Sequence, residues 1–215
     1  MPEGPEIYAL CLALKNLVSC RCVGKHLLVT VSSKNNVEDW SFGLNGRVHL
    51  DDKGNLVKLS SGYIPGEAKP YDPKLLEKLG PDWCTLTVEQ SVAIVEKWSK
   101  SKKKLGSLLI DQSEIAGIGV AWGSEILAEA GLKPDLGASS QLTNSDIKAR
   151  LANALMDTRD RALTCYTEYV NLVEDKVAFV NSWFDNLYKV RQMVVYKKGT
   201  RVEVAGSKWW LRTGL

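Results

Sequence analysis

The first residues of the chain combine a secondary amine with a carboxylate. The sequence begins MPEGPE, so Pro2 follows the initiator methionine and Glu3 follows Pro2. Removal of Met1 would expose the proline nitrogen as an α-amino group, a type that titrates near ~7.7–8.0 and is partly neutral at pH 7. A secondary amine that attacks C1′ of a sugar forms an iminium directly, and Glu3 offers a carboxyl group for proton transfer. Prolines also begin helices, and the stretch by itself favours that structural explanation.

Two further stretches contain residue types that bind phosphate or assist catalysis. Lys25 lies in VGKHLL, within a strand predicted over residues 22–31, where a lysine is either an edge residue or a positioned cation. Gly117 and Gly119 interrupt the helical pattern of LLIDQSEIAGIGVAWGSEILAEAGLKP, and a helix follows them. Two turns that lead into a helix N-terminus form a backbone N–H cradle for phosphate, although they also suit a packing joint between helices.

The elements that must position these residues change character along the chain. Apolar residues at helical spacing behind Pro2 and Pro5 predict a first helix. SFGLNGRVHL and NLVKLS predict two strands around a DDKG turn, and the proline- and glycine-rich residues 62–73 look like a connection. The pattern then predicts helices, and a final hairpin from VVYKK to KWWLR. The predicted helices cover residues 73–79, 87–100, 121–130, 144–156 and 175–189.

Length and composition are those of a soluble globular protein. The chain has 215 residues, of which 45% are apolar and 25% charged, and its apolar runs are too short to predict a membrane span. Five cysteines without a regular framework indicate reduced thiols and a cytoplasmic or nuclear location. The absence of a CxxC pair argues against a zinc site.

Positive charge is concentrated at the C-terminal end. From Lys189 onward there are seven basic residues and one acid, a net charge of +6 within a total of +3. This asymmetry indicates a polyanionic partner, although on charge alone a solvated helix face and a charged tail explain it equally well.

Together these stretches resemble the formamidopyrimidine-DNA glycosylase / endonuclease VIII family of base-excision repair enzymes. MPEGPE is similar to the family's N-terminal signature, and Gly4 in place of leucine is typical of its endonuclease VIII branch. LLIDQSEIAGIGVAWGSEILAEAGLKP is similar to its helix–two-turn–helix segment, and FGLNGRVHL, LGPDW and VVYKKG match lesser landmarks. The resemblance covers almost the whole chain in order.

The resemblance implies an α+β fold that is divided into two domains. A small β-sandwich-like catalytic domain would occupy residues 1–75, and a helical helix–two-turn–helix DNA-binding domain residues 76–215. The second domain would end in a zincless β-hairpin at about residues 190–215.

The resemblance also implies roles for individual residues. Pro2 would attack C1′ of a damaged nucleotide, Glu3 would handle protons at the sugar, and Glu6 would support the site. Lys25 would contact DNA phosphate and assist catalysis. The damaged base would be extruded from the stack, and contacts with phosphates would make binding sensitive to salt. Gly117 to Gly119 would bind backbone phosphate.

The activity implied is a DNA glycosylase and AP lyase that acts on oxidised bases, pyrimidines being favoured. No cofactor and no metal are expected. The partner would be damaged duplex or single-stranded DNA. The protein would bind it as a monomer, and no association with a membrane is expected. The alternative is a non-catalytic DNA-binding protein derived from the family, and a weaker one is a structural protein that keeps only the packing of the helical domain.

Departures from the family pattern concern DNA contacts. Val120 stands where an asparagine usually donates to phosphate, and only VSCRCV separates the first helix from the lysine segment, so the N-terminal domain is reduced. Leu44 stands in place of a methionine that fills the gap left by the flipped base, and no Arg-Phe-Gly stretch follows. An incomplete wedge suits single-stranded or distorted DNA, in which unstacking costs less.

The C-terminal finger is altered as well. Val202 and Ala205 replace its first two cysteines. Lys208 is the best substitute for the finger's arginine, with Arg201 and Arg212 as alternatives. For Trp209 and Trp210, packing is favoured for one, and stacking on bases is left open for the other.

Overall fold

The computed structural model divides into two compact units. The first unit is Met1–Lys78 with Ala162–Arg191, and the second is Leu79–Arg161 with Gln192–Leu215. The predicted domain boundary at residue 75 remains a prediction. The order of the predicted elements along the chain did not indicate that the helical segment Ala162–Arg191 joins the first unit. The structure describes residues 2–15, 19–31, 36–41, 47–53, 56–60, 67–70, 72–190, 193–204 and 206–211.

Helices and strands in the described part of the chain form an α+β protein, as predicted. The strands are β1 (Ser19–Val23), β2 (His26–Val31), β3 (Asn36–Ser41), β4 (Arg47–Leu50), β5 (Leu56–Ser60), β6 (Glu67–Pro70), β7 (Thr200–Val204) and β8 (Ser207–Leu211). The helices are α1 (Gly4–Leu14), α2 (Pro73–Glu77), α3 (Val88–Trp98), α4 (Leu105–Ile110), α5 (Val120–Ala130), α6 (Ala138–Gln141), α7 (Ser145–Leu172), α8 (Lys176–Asn181) and α9 (Trp183–Val190).

The first unit contains helix α1 and two antiparallel sheets. The larger sheet has the order β1-β2-β3-β6, and β4 pairs with β5 separately. Leu27, Leu28 and Val29 of β2 are all buried, so this inner strand is covered on both faces. Helix α1 begins where Pro5 fixes φ in the first turn, and it buries Ile7 and Leu10.

The strand predicted over residues 22–31 is wrong, because the chain reverses inside it. Val23 pairs with His26 in an antiparallel hairpin of β1 and β2, which leaves Gly24 and Lys25 as the turn. Gly24 has a φ of 57°, the positive value that two-residue hairpin turns require and that glycine adopts without strain. Lys25 is therefore a turn residue and not a strand residue.

The proline- and glycine-rich connection predicted over residues 62–73 also contains a strand. Glu67–Pro70 forms β6 and pairs with β3 at the edge of the larger sheet. A proline is compatible with an edge strand, because one side of that strand needs no donor for the ladder.

The second unit is mainly helical and contains the C-terminal hairpin. Helix α7 runs through the predicted 144–156 segment as far as Leu172, and its N-terminal part belongs to this unit. β7 and β8 form the predicted hairpin, but VVYKK lies in the turns that precede it. No helix in the described residues is long and apolar enough to cross a membrane.

Candidate functional site

Glu3 and Glu6 form a reciprocal cap at the start of helix α1. Glu3 is the N-cap residue, and the Glu6 carboxylate accepts a hydrogen bond from the Glu3 backbone N–H at 2.9 Å. Both side chains are buried, with 5% of Glu3 and 2% of Glu6 exposed. Pro2 is buried next to them. The cap thus fixes two carboxylates within one helical turn of the proline nitrogen.

Tyr166 on α7 holds the second of these carboxylates from another element of the first unit. Its hydroxyl donates to the other oxygen of Glu6 at 2.7 Å, and the tyrosine side chain is completely buried. With one oxygen on the Glu3 N–H and one on Tyr166, the Glu6 carboxylate has a fixed orientation. Sequence reasoning missed Tyr166, because it lies 160 positions from Glu6 in the chain.

Lys25 brings a positive charge to the same carboxylates. Burial lowers the pKa of the Lys25 ammonium below its usual value, and the charges of Glu3 and Glu6 oppose that shift. The first unit therefore places Lys25 within electrostatic reach of the two predicted acid residues. A partly desolvated cation beside buried carboxylates can bind an anion or assist proton transfer.

In the second unit, the two-turn segment between α4 and α5 is organised by the side chain of Gln112. Its amide nitrogen donates to the carbonyls of Ile110 and Ile118 at 2.9 and 3.0 Å. Its oxygen accepts from the backbone N–H of Gly117 at 2.9 Å. Gly117 has a φ of 100°, so the turn requires glycine there. Gly119 is the N-cap residue of α5.

Of the two predicted phosphate-binding glycines, only Gly119 lies at a helix N-terminus. The N–H of Gly117 is used inside the loop by Gln112, so this glycine shapes the turn. Val120, the residue in place of the asparagine, begins helix α5 and is half-buried. Gln112 was missed by sequence reasoning, since nothing local marks its amide as the centre of two turns.

The LGPDW stretch clamps the two-turn segment through its backbone. Gly80 N–H donates to the Gln112 carbonyl at 2.8 Å, and Trp83 N–H donates to the Ala116 carbonyl at 2.8 Å. Ala116 N–H returns a bond to the Pro81 carbonyl at 2.9 Å. The landmark therefore has a structural function in the second unit.

Replacing Gly80 with alanine is expected to weaken this clamp. A Cβ at position 80 would lie 2.6 Å from the carbonyl carbon and oxygen of Glu114, which are backbone atoms that cannot rotate away. We expect Gly80→Ala to lower the free energy of unfolding by about 1–3 kcal/mol in urea denaturation. Gly137→Ala is the control, since its Cβ would come no closer than 3.4 Å to Lys102. Equal stabilities would contradict the clamp.

Glu125 on α5 anchors the segment that leads into the hairpin. Its buried carboxylate accepts three backbone N–H groups, from Val194 at 2.9 Å, Val195 at 2.7 Å and Tyr196 at 2.8 Å. Glu125 lies within the helix predicted over residues 121–130, and the sequence alone indicates no role for it. An acidic residue next to the apolar pair Ile126 and Leu127 is the signal that could have indicated a buried anchor.

Trp209 packs the hairpin against α4 and α5. A Cβ on Gly106 or Gly123 would lie 3.0 or 2.9 Å from the Trp209 ring, so both glycines make room for the indole. Trp209 is completely buried, which settles its role as packing. The Trp210 backbone N–H also donates to the Ser124 hydroxyl at 3.2 Å.

The other face of the hairpin carries basic and aromatic side chains. Arg201 pairs with Trp210, and Glu203 pairs with Lys208, and cross-strand partners share one face. Arg201 and Lys208 are exposed, whereas Trp210 is half-buried. The Trp210 ring meets the Tyr196 ring edge-on, with centroids 4.6 Å apart.

Some predicted site residues lie outside the described residues, namely Leu44, Arg212 and Ala205. Val202 lies on β7 opposite Trp209, on the packed face of the hairpin. Within the described ranges, no group of three or more His, Cys, Asp or Glu side chains is placed to hold a metal ion.

The fold is that of the formamidopyrimidine-DNA glycosylases. The chain is similar to MutM (Fpg) from Thermus thermophilus, with a TM-score of 0.71 and 19% identity over 98% of this chain and 97% of that one. It is also similar to Lactococcus lactis Fpg in complex with abasic-site DNA, with a TM-score of 0.67 and 15% identity over 98% of this chain and 97% of that one. The complex of Lactococcus lactis Fpg with DNA that contains an oxidised pyrimidine has a TM-score of 0.68 and 16% identity, over 98% of each chain. No family model and no curated protein matches the sequence. The resemblance is confirmed as a likeness of fold.

Proposed function

We propose that this chain is a reduced, zinc-free DNA glycosylase and AP lyase of the formamidopyrimidine-DNA glycosylase / endonuclease VIII family. It excises oxidised bases, pyrimidines being favoured, and cleaves the abasic site through an imine on Pro2. The observation that carries the proposal is the cluster of Pro2, Glu3 and Glu6 at the start of α1, with Lys25 within electrostatic reach of both carboxylates. The fold shared with Fpg structures that contain DNA supports it.

The chemistry begins when Met1 is removed, because the nitrogen of Pro2 is an amide until then. The freed amine attacks C1′, the glycosidic bond breaks, and the base leaves with a proton. Glu3, adjacent to the nucleophile, handles the protons of the sugar. The nitrogen lone pair then opens the C1′–O4′ bond, with a proton from Glu3 going to O4′, and this gives an iminium. The iminium makes the C2′ proton acidic, and loss of that proton expels the 3′ phosphate by β-elimination. Glu6, held by Tyr166, keeps the start of the helix in place.

DNA binding in the second unit is assigned to two features. The N-terminus of α5 at Gly119 offers the positive end of a helix to a phosphate. On the outer face of the hairpin, Arg201 and Lys208 flank Trp210, a combination of cations and an aromatic ring that suits a nucleic-acid strand.

A second candidate function is non-catalytic binding of single-stranded or damaged DNA. One observation favours it: Pro2 is buried. A binder of this kind needs the hairpin face and not the proline amine. It would bind abasic-site DNA and leave the strand intact.

Strand cleavage separates the two candidates. The purified chain, its N-terminus verified by mass spectrometry, is incubated with oligonucleotides that contain an abasic site or an oxidised pyrimidine, in single-stranded and duplex form. The enzyme is expected to cleave abasic DNA without a metal, and to act on single strands at least as well as on duplex. Binding without cleavage would establish the second candidate, and better activity on duplex would contradict the incomplete wedge.

Salt dependence tests the hairpin face. Each phosphate contact that is lost should lower the slope of log affinity against log salt by about 0.7 for single strands and about 0.9 for duplex. We expect Arg201→Ala and Lys208→Ala each to have this effect in fluorescence anisotropy titrations. Lys148→Ala is the control, since that ammonium pairs with Glu96 at 2.7 Å. Slopes equal to that of the wild type would remove the hairpin from the DNA-binding surface.

A further inference from the structure

Three cysteine thiols meet in the first unit, away from the groups used in the proposed reaction. Cys11 lies on α1, and Cys20 and Cys22 lie two residues apart on β1, so their side chains share a face of that strand. The Sγ atoms of Cys11 and Cys20 are 3.4 Å apart. Cys22 also hydrogen-bonds to Cys11. All five cysteines lie within the described residues, and each is a thiol rather than half of a disulfide.

The arrangement favours Cys11 as the nucleophilic thiol and Cys20 as the thiol that donates a hydrogen bond to it. Hydrogen bonds from Cys20 and then Cys22 lower the pKa of the Cys11 thiol well below its usual value, and the nearby charge of Lys15 adds to them. The pKa of Cys20 is raised, because its proton is held in the bond to Cys11 and because it is partly buried. Within the pair, the hydrogen bonds and the charge of Lys15 therefore favour the thiolate on Cys11.

Reagents can reach this cluster from solvent. Cys11, Cys20 and Cys22 are all half-buried and none is enclosed. A hydroperoxide is a small oxidant that reacts with thiolates, and partly exposed thiols are open to it.

We propose that Cys11 and Cys20 form a reversible oxidation site, in which a hydroperoxide closes a disulfide between them. The Cys11 thiolate attacks the terminal peroxide oxygen, which breaks the O–O bond and gives a sulfenic acid and, after protonation, an alcohol or water. Cys20 then attacks the sulfenic sulfur, gives up its proton and displaces the oxygen as water. Two thiols are oxidised and one peroxide is reduced, and a thiol reductant reverses the change.

The separation between Cys11 and Cys20 suits Cys20 as the disulfide partner. A disulfide has an S–S separation of about 2.05 Å, so the 3.4 Å between Cys11 and Cys20 must shorten by little more than an ångström. The bond would join β1 to the last turn of α1, the helix that begins at Glu3 and Glu6. The proposal does not depend on the proposed function, because the thiol chemistry is the same in an enzyme and in a DNA binder.

Trypsin separates the three cysteines for a direct test. Cleavage after Lys15, Arg21 and Lys25 places Cys11, Cys20 and Cys22 on three different peptides. The full chain is reduced, freed of reductant, treated with stoichiometric hydrogen peroxide, alkylated and digested without reductant. We expect the peptide that ends at Lys15 to be linked to peptide 16–21, and the link to disappear after treatment with dithiothreitol.

Two variants complete the test. Cys20→Ser is expected to abolish the link and to leave a sulfenic acid on Cys11 that dimedone traps. Cys165→Ser is expected to keep it, because that half-buried thiol lies on another helix and burial raises its pKa. Peptide 16–21 recovered with its cysteine alkylated after oxidation, or a link that runs mainly to peptide 22–25, would overturn the proposal in the wild-type chain.

Discussion

Glu3→Gln is expected to lose base excision and strand cleavage by about 10²–10⁴-fold while it keeps its affinity for abasic-site DNA. The amide has nearly the same shape and can still accept a hydrogen bond at the cap, but it cannot exchange protons with the sugar. Glu3 directly follows Pro2 in the chain, and its side chain is only 5% exposed. It is therefore the carboxylate of this cluster that is nearest to the nucleophile in sequence. Single-turnover cleavage and anisotropy binding, measured on the same preparation, check the two halves of the expectation.

A control separates loss of chemistry from loss of fold. Glu174→Gln removes an exposed carboxylate from the same unit and should leave both measurements unchanged. Thermal unfolding of the two variants should agree within a few degrees, since the amide loses at most about 1–2 kcal/mol of capping. Full activity in Glu3→Gln would remove Glu3 from the reaction.

Glu125→Ala is expected to detach the segment before the hairpin from α5. The substitution leaves the N–H groups of Val194, Val195 and Tyr196 without their acceptor, and each buried unpaired donor costs about 1–3 kcal/mol. We expect the docking of this segment to weaken by about 3–5 kcal/mol, as when one partner of a buried charged network is removed. Hydrogen exchange of these three amides should accelerate by several hundred-fold or more.

The matched control is Glu129→Ala on the same helix. Glu129 accepts from Arg161 and Thr158 at 3.1 Å but is exposed, so its loss should cost at most about 1 kcal/mol. DNA affinity should fall in Glu125→Ala and stay near the wild-type value in Glu129→Ala. Unchanged exchange at residues 194–196 in Glu125→Ala would show that the carboxylate is not the anchor.

The parts of the fold that sequence predicted are those set by local chemistry. Pro5 and the capping pair Glu3–Glu6 fix the start of α1 through interactions within one turn. The hairpin of β4 and β5 around DDKG follows from strand patterns that flank a turn. The α+β class, the likeness of fold and the C-terminal hairpin were all predicted from such stretches.

What sequence did not predict depends on contacts between distant residues. The Tyr166 hydroxyl and the three N–H groups bound by Glu125 become partners of these carboxylates only after the chain has folded. Lys25 was placed on a strand because GKHLLVTV is apolar and β-branched, and a single glycine gave too weak a signal for a reversal. Burial of Pro2 likewise depends on tertiary packing, and this was not visible in MPEGPE.

The measurement that tests the account most directly is reductive trapping with borohydride. The processed chain is incubated with an abasic-site oligonucleotide and borohydride, and the adduct is digested with trypsin, which cleaves first after Lys15. We expect a covalent adduct on the nitrogen of Pro2, and none in a form with one extra residue before Pro2. An adduct on a lysine, or no adduct with a verified free proline amine, would contradict it.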